Sequence, residues 1–170
     1  MPIQGIEQPE VIWVDDSLRL RKYDGSFAFA FDWYQDEDMV ALVDGAKSRY
    51  TMERLEQMYR YLDGAGELYF IETVENGNFK PIGDVTFWRE DMPIVIGDKA
   101  YRHRGIGRRV ISALVERGRN LGYRELYVGE IYDFNPASRK CFESVGFERC
   151  EKTDRGARYV LRLSKKENWP

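Results

Sequence analysis

The chain has 170 residues, with 26 lysines and arginines against 29 aspartates and glutamates, so its formal charge is −3. A chain of this length is expected to fold as one domain, residues 1–170, that buries roughly 70% of its unfolded surface. Its aromatic content of 14% argues against intrinsic disorder. The balanced charge excludes a general attraction to nucleic acid or to an anionic membrane.

Three sequence features bear on location and metal binding. No apolar run approaches the ~20 residues of a membrane span, and residues 1–10 lack the basic and apolar parts of a signal peptide. The two cysteines, Cys141 and Cys150, are too few for a disulfide framework. With one histidine and no cluster at zinc-ligand spacing, no metal site is expected. We therefore expect a cytoplasmic protein with reduced thiols.

The first third of the chain predicts one strand and several helices. Residues 1–16 are expected to form an irregular lead-in, and the alternation over 18–22 predicts a first strand. Mixed spacing over 27–44 predicts one or two short helices. Apolar residues then recur at steps of three and four over 52–62, and Thr51 can cap the helix that they predict.

The middle and the end of the chain alternate between strands and helices. Strands 67–75 and 79–89 flank Asn76-Gly77, which is a strong hairpin signal. The later elements are a strand at 92–97, a helix at 105–121, a strand at 126–131, a helix opened by Asn135-Pro136 and stopped by Gly146, and a final hairpin of 147–152 and 158–163. This order predicts an α/β or α+β sheet with helices on its faces.

The most informative stretch is residues 102–109, RHRGIGRR, which follows a predicted strand and opens a long helix. Glycines allow a tight turn and the close approach of a ligand. The first amides of a helix lack internal partners and, together with the helix macrodipole, can bind an anion. Four arginines add positive charge to a site that would suit phosphate or pyrophosphate: Arg102, Arg104, Arg108 and Arg109.

Other interpretations of this stretch compete with a coenzyme site. A Walker loop needs GxxxxGK[ST], which is absent. A dinucleotide-binding fold needs a third small residue where Val110 stands, and it would want its βαβ unit near the start of the chain. The plainest alternative is a glycine turn before a solvated, basic helix start. This segment alone leaves both the anion site and the plain turn open.

Two separated motifs share the spacing of one family. Arg102-x-x-Gly105-x-Gly107 fits the signature Arg/Gln-x-x-Gly-x-Gly/Ala, and residues 135–147, NPASRKCFESVGF, fit Asn-x-x-Ala/Ser-x-x-x-Tyr/Phe-x-x-x-Gly-Phe. Together they resemble the GNAT superfamily of acetyl-CoA-dependent N-acetyltransferases, most closely over 82–147, the expected cofactor-binding core. Asp32-Trp33 and Gly83-Asp84 resemble the branch that contains ribosomal-protein N-terminal acetyltransferases and some aminoglycoside acetyltransferases.

The resemblance implies a fold and an activity. The fold would be a mixed, mostly antiparallel twisted sheet of about six or seven strands with helices on both faces. Two central parallel strands, 93–97 and 125–131, would splay into a V that admits the pantetheine arm of acetyl-CoA. The implied activity is transfer of an acetyl group from acetyl-CoA, the cosubstrate, to a primary amine of a small molecule or a protein or peptide N-terminus, by direct attack.

The resemblance also implies the cofactor contacts. Main-chain N–H groups near Ile96 and Gly97 would polarise the thioester carbonyl. Asn135 would hydrogen-bond the pantetheine arm or serve as a plain helix cap, and both roles can hold at once. Ser138 and Phe142 would line the cofactor side of that helix. The pyrophosphate would lie on a loop whose backbone amides hold it, formed by Arg102, His103, Arg104, Gly105, Ile106, Gly107 and Arg108.

The chemistry requires a base and a route for the leaving thiolate. An amine with a pKa near ~10.4 must lose a proton before it attacks, so a carboxylate is expected as the base. The candidates are Asp91 and Glu90, for which a charged turn is the alternative reading, and then Glu130. Many family members protonate the thiolate with a Tyr, but Phe142 stands at that position here. Either the thiolate leaves unaided or another group supplies the proton, such as Tyr132, Tyr101 or Cys141.

The acceptor and the other function classes are less defined. An acidic, aromatic stretch would suit a cationic acceptor, or it is merely a solvated helix start: Asp32, Trp33, Tyr34, Asp36, Glu37 and Asp38. The missing Tyr also allows a catalytically silent, acyl-CoA-binding regulatory domain. A nucleic-acid-binding module on 102–109 is disfavoured by the net charge. A homodimer would be unsurprising, although nothing in the sequence specifies its interface.

Overall fold

The computed structural model describes residues 1–164. The strands in this part of the chain are β1 (Val11–Asp15), β2 (Leu18–Lys22), β3 (Glu67–Glu75), β4 (Asn78–Phe87), β5 (Ile94–Ile96), β6 (Glu125–Tyr132), β7 (Glu148–Lys152) and β8 (Gly156–Arg162). The helices are α1 (Glu37–Asp44), α2 (Met52–Ala65), α3 (Ile106–Asn120) and α4 (Pro136–Val145). Two 3₁₀ helices span Ala28–Gln35 and Lys99–Tyr101.

The strands form two antiparallel sheets, in the orders β1-β2-β3-β4-β5 and β6-β8-β7. The expected class of fold is confirmed, although residues 1–164 form eight strands where six or seven were expected. The irregular lead-in expected over residues 1–16 is wrong for 11–15, which form β1. This strand escapes a pattern-based prediction because four of its five residues are half-buried, so the two faces do not alternate.

Helices cover both faces of the larger sheet and enclose two cores. On one side α3 and α4 pack over the first core, and on the other side α1, α2 and the first 3₁₀ helix enclose the second. β3 supplies both, because successive side chains of a strand point to opposite faces. Tyr69 and Ile71 are buried in the first core, whereas Leu68 and Phe70 are buried in the second.

Local sequence sets the ends of two helices as predicted. Thr51 caps α2, with its hydroxyl oxygen accepting from a backbone N–H three residues on at 3.1 Å. Asn135 caps α4, where its Oδ1 accepts from the N–H of Ser138 at 3.2 Å and Pro136 takes the first helical position. Gly146 ends this helix in a left-handed conformation, with φ at 112°.

The two sheets meet at β5 and β6, which do not pair with each other. The N–H of Tyr127 donates to the carbonyl of Arg89 at 2.9 Å, and the N–H of Gly129 donates to Asp91 Oδ1 at 3.0 Å. Residue numbers rise together across these contacts, as they do between parallel segments. Beyond them the strands separate around a cleft of about 370 Å³. The expected splay therefore lies between β5 and β6.

Candidate active site

The cleft brings together residues from four parts of the chain. Its walls are formed by 91–95 before and along β5, by 128–132 of β6, by α4 and by α1. Leu42 and Val43 of α1 were not predicted, and the only signal for them was the helical spacing of apolar residues near position 40. Six predicted site residues line the cleft: Asp91, Glu130, Tyr132, Asn135, Ser138 and Phe142.

Asp91 is the half-buried carboxylate of the cleft. Its Oδ1 accepts from the backbone N–H groups of Met92 at 2.9 Å and of Gly129 at 3.0 Å, so it joins the two sheets. Its Oδ2 accepts no hydrogen bond from residues 1–164. Burial raises the pKa of the Asp91 carboxyl above its ordinary value, against the two N–H groups, which lower it. This combination suits a group that accepts a proton.

The other two carboxylate candidates have different surroundings. Glu90 does not line the cleft. Its carboxylate pairs with Arg89 at 2.6 Å and with Arg158 at 2.7 Å. Glu130 does line the cleft and is exposed. One of its oxygens lies 3.4 Å from the backbone N–H of Arg155, which donates to it. Only Glu130 therefore accompanies Asp91 in the cleft.

Tyr132 belongs to a stack of planar groups at the cleft mouth. Its ring lies nearly parallel to that of Phe134, with centroids 4.9 Å apart, and the guanidinium of Arg155 lies 5.3 Å from its centroid. The other candidate acids lie outside the cleft lining. Tyr101 donates to Glu75 at 2.5 Å, and burial raises the pKa of the Cys141 thiol. Tyr132 is thus the candidate acid that the cleft contains.

The N-terminal end of α4 connects two walls of the cleft. Asn135 uses its Oδ1 as the helix cap, and its Nδ2 donates to the carbonyl of Leu42 in α1 at 3.5 Å. The cap interpretation of Asn135 therefore holds. Phe142 is buried on one side of the cleft. Its ring contacts the ring of Phe147 edge to face, with the centroids 5.3 Å apart.

The glycine loop leads into α3 as predicted and leaves the helix N-terminus open. Gly105 precedes the helix with φ at 74°, and a Cβ there would meet nothing within 4 Å. No side chain of the described residues 1–164 caps the helix, so its first N–H groups are open to an anion from this part of the chain. The exposed residues His103, Arg104 and Arg108 surround this end.

Arg102 differs from these residues because its side chain binds the protein itself. Its Nε donates to the carbonyl of Ile96 at 2.8 Å, and its Nη2 donates to the carbonyl of Gly97 at 3.1 Å. Its Nη1 pairs with Asp36 at 3.3 Å, at the start of α1. Gly97 is required here, because a Cβ would come within 2.3 Å of Trp33. Arg102 thus supports the loop by binding the end of β5. Three predicted cofactor contacts, Ile96, Gly97 and Arg102, therefore lie outside the cleft lining.

The acidic stretch before α1 exposes carboxylates but not the two aromatic rings expected beside them. Tyr34 and Trp33 are buried, and the hydroxyl of Tyr34 donates to Asp84 at 2.7 Å. The aromatic part of the predicted patch is therefore buried, and the cationic acceptor stays a prediction beside the alternative of a charged helix start. Three of the four carboxylates pair with nearby basic side chains: Asp36 with Lys99 as well as Arg102, Glu37 with Arg49, and Asp38 with Lys47.

Residues 1–164 lack two features, a metal-binding cluster and a membrane-spanning helix. This part of the chain contains no group of three or more histidine, cysteine or acidic side chains that could hold a metal ion. It also contains no helix that is long and apolar enough to cross a membrane.

The model of the acetyltransferase (GNAT) family matches residues 12–147. The chain therefore belongs to the GNAT acetyltransferase family, and the expected family is confirmed. A search of curated proteins finds no significant match.

Solved structures of the same fold include a domain from Methanocaldococcus jannaschii DSM 2661, with a TM-score of 0.75 and 21% identity over 88% of this chain and 100% of that one. The aminoglycoside acetyltransferase AAC(6')-Ib, solved with ribostamycin and coenzyme A, has a TM-score of 0.71 and 19% identity. The match covers 86% of this chain and 94% of that one. The ribosomal L7/L12 α-N-protein acetyltransferase RimL, solved with coenzyme A, has a TM-score of 0.70 and 17% identity. The match covers 91% of this chain and 98% of that one. At these identities the similarity establishes the fold.

Proposed function

We propose that the chain transfers an acetyl group from acetyl-CoA to a primary amine by direct attack on the thioester. The observation that carries the proposal is the cleft between β5 and β6, lined by Asp91, Tyr132 and Phe142. Fold relatives solved with coenzyme A or acetyl-CoA support the choice of cosubstrate.

The N-terminus of α3 fits the pyrophosphate of acetyl-CoA. The backbone of 103–108 would provide N–H donors, and the absence of a side-chain cap on α3 leaves them available. The open space at Gly105 allows an anion to approach the backbone. The exposed guanidinium groups of Arg104 and Arg108 would add attraction for its charge, and the exposed His103 precedes them in the loop.

The proposed reaction forms a carbon–nitrogen bond and breaks the carbon–sulfur bond of the thioester. Asp91 takes the proton of the amine, directly or through a water molecule, and Glu130 is the second candidate for this role. The departing thiolate has a pKa near ~8.5 and can leave unaided. Tyr132 is the hydroxyl at the cleft that would otherwise protonate it.

The first test is a thermal-shift titration with acetyl-CoA, with NAD and ATP as controls. If Kd is near ~10 μM, then ~1 mM ligand stabilises the fold by about 2.7 kcal/mol. For a chain of this size that raises Tm by roughly 5–10 °C. Gly107→Glu, which puts a carboxylate at the proposed pyrophosphate site, should abolish the shift. Gly64→Glu is the matched control, because a Cβ at that helix position meets nothing within 4 Å.

A catalytically silent, acyl-CoA-binding domain is the second candidate function. Phe142 favours it, because this buried cleft residue has no proton to donate. A thermal shift with acetyl-CoA, without release of free coenzyme A over a panel of primary amines, would support this candidate. A shift with NAD and none with acetyl-CoA would overturn both.

A further inference from the structure

The mouth of the cleft carries exposed apolar side chains on both sides. Leu42 of α1 is 40% exposed, and Phe134, just after β6, is 47% exposed. Tyr132 stacks on Phe134 and lines the cleft together with Leu42. The bond from Asn135 to the carbonyl of Leu42 holds the two sides next to each other. We call Leu42, Tyr132 and Phe134 the apolar rim.

The size of the cleft decides how much of an acceptor it encloses. Its volume of about 370 Å³ is near the lower end of the roughly 300–1,000 Å³ that encloses a drug-sized ligand. The same space must take the acetyl end of the cosubstrate. Only the amine and its nearest atoms therefore enter, and the next part of the acceptor contacts the apolar rim.

The charges around the cleft do not favour a polycation. The carboxylates at the start of α1 pair with basic side chains of the chain itself, and Glu90 pairs with Arg89 and Arg158. Of the lining carboxylates, Asp91 is half-buried and Glu130 is exposed. On the rim the cationic guanidinium of Arg155 lies 5.3 Å from the ring centroid of Tyr132, where it would repel a second positive charge of an acceptor.

We propose that the acceptor is a primary amine whose carbon substituent next to the nitrogen is apolar, in preference to a polyamine or an aminoglycoside. This inference rests on the proposed function. An aliphatic or aromatic monoamine has this chemistry, and so does a peptide whose N-terminal side chain is apolar. Burial of that substituent on the apolar rim would supply the preference.

The test measures release of free coenzyme A by the full chain at saturating acetyl-CoA. Four acceptors are compared: phenethylamine, a tetrapeptide with N-terminal phenylalanine, spermidine and kanamycin. We expect kcat/KM for phenethylamine or the peptide to exceed that for spermidine and kanamycin at least ~10-fold, since one or two buried apolar groups discriminate by this much. The first two acceptors distinguish a small amine from a peptide.

Rim variants connect the preference to the structure. Leu42→Gln and Phe134→Gln should each raise KM for the preferred amine roughly 3- to 10-fold and leave kcat unchanged, because they remove apolar contact area outside the reacting atoms. Met52→Gln is the matched control, since Met52 is also 40% exposed but lies on α2 and does not line the cleft. Unchanged melting temperatures would show that the variants fold.

The outcomes separate this inference from the proposed function. Preference for spermidine or kanamycin, or rim variants that behave like Met52→Gln, would overturn the inference and leave the transferase standing. If acetyl-CoA raises Tm but none of the four amines is acetylated, both the transferase and the acceptor class are wrong. If acetyl-CoA does not raise Tm, the cosubstrate site itself is wrong.

Discussion

Two regions of the molecule each withdraw a carboxylate from water, and they surround it differently: Glu67 is fully buried, whereas Asp91 is half-buried. Glu67, at the start of β3, accepts from Nη2 and Nε of Arg117 in α3 at 2.8 and 3.0 Å, and from the hydroxyl of Tyr69 at 3.1 Å. Asp91, between the sheets, lines the cleft and accepts, within residues 1–164, from two backbone N–H groups. Glu67 is therefore held by a cation at hydrogen-bond distance, whereas Asp91 has no ion-pair partner in this part of the chain and is suited to accept a proton.

The largest expected effect tests the reactive side of this comparison. Asp91→Asn keeps an oxygen for the N–H groups of Met92 and Gly129 but cannot take a proton. We expect kcat/KM for an accepted amine to fall roughly 10²- to 10⁴-fold. Because the base works only when deprotonated, wild-type kcat/KM should also fall as pH drops through the raised pKa of this carboxyl.

The control for Asp91→Asn is Glu130→Gln, which alters the second carboxylate of the cleft. A loss confined to Glu130→Gln, with full kcat/KM in Asp91→Asn, would move the role of base to Glu130. Comparable melting temperatures of the two variants would show that lost activity reflects chemistry.

The structural side of the comparison predicts the next largest effect. Arg117→Ala leaves the buried carboxylate of Glu67 without its cation and should lower the free energy of unfolding by about 3–5 kcal/mol. Arg119→Ala removes an arginine of the same helix that pairs at the surface with Glu116, and should cost about 1 kcal/mol or less. Urea unfolding measures both, and equal losses would contradict the distinction.

The features that the sequence predicted correctly are those that depend on residues close together in the chain. The caps at Thr51 and Asn135 and the glycine loop at 102–107 depend on groups within a few positions, so their geometry follows from local pattern. The hydrogen-bond partners of Arg102 do not follow from local pattern. Its positive charge predicted a place in the phosphate site, whereas its side chain donates to the carbonyls of Ile96 and Gly97. That outcome depends on how the chain packs around the end of β5, and no spacing encodes it.

The same limit applied to the site itself. Asp91 could be named as a candidate because it precedes a predicted buried strand. Its bond to Gly129 joins residues 38 positions apart, and the contact of Arg117 with Glu67 spans 50 positions. Leu42 lines the cleft only because α1 packs across the gap between the sheets. Chain topology creates these contacts, so sequence pattern could not distinguish the carboxylate of the cleft from the one that pairs with Arg117.

Another buried carboxylate gives the smallest predicted effect, because its donors are neutral hydroxyls and not the cation that Glu67 has. Asp84 of β4 is 3% exposed, and its Oδ2 accepts from the hydroxyls of Tyr34 at 2.7 Å and Tyr59 at 2.8 Å. Because hydroxyl donors are neutral, they offset only part of the rise in pKa that burial causes. Burial accordingly raises the pKa of Asp84 from 3.8 to about 6.

The sign of the resulting pH dependence follows from this shift. The folded chain holds the Asp84 proton more tightly than the unfolded chain, so the stabilisation is complete below about pH 4 and is lost as pH rises to about 6. The shift corresponds to about 3 kcal/mol. Asp84→Asn cannot titrate, so its stability relative to wild type should improve by up to that amount between pH 4 and 7 in urea unfolding. Asp38→Asn, at an exposed ion pair, should show no such change. Parallel curves for wild type and Asp84→Asn would mean that two hydroxyls serve a buried carboxylate as well as a cation does.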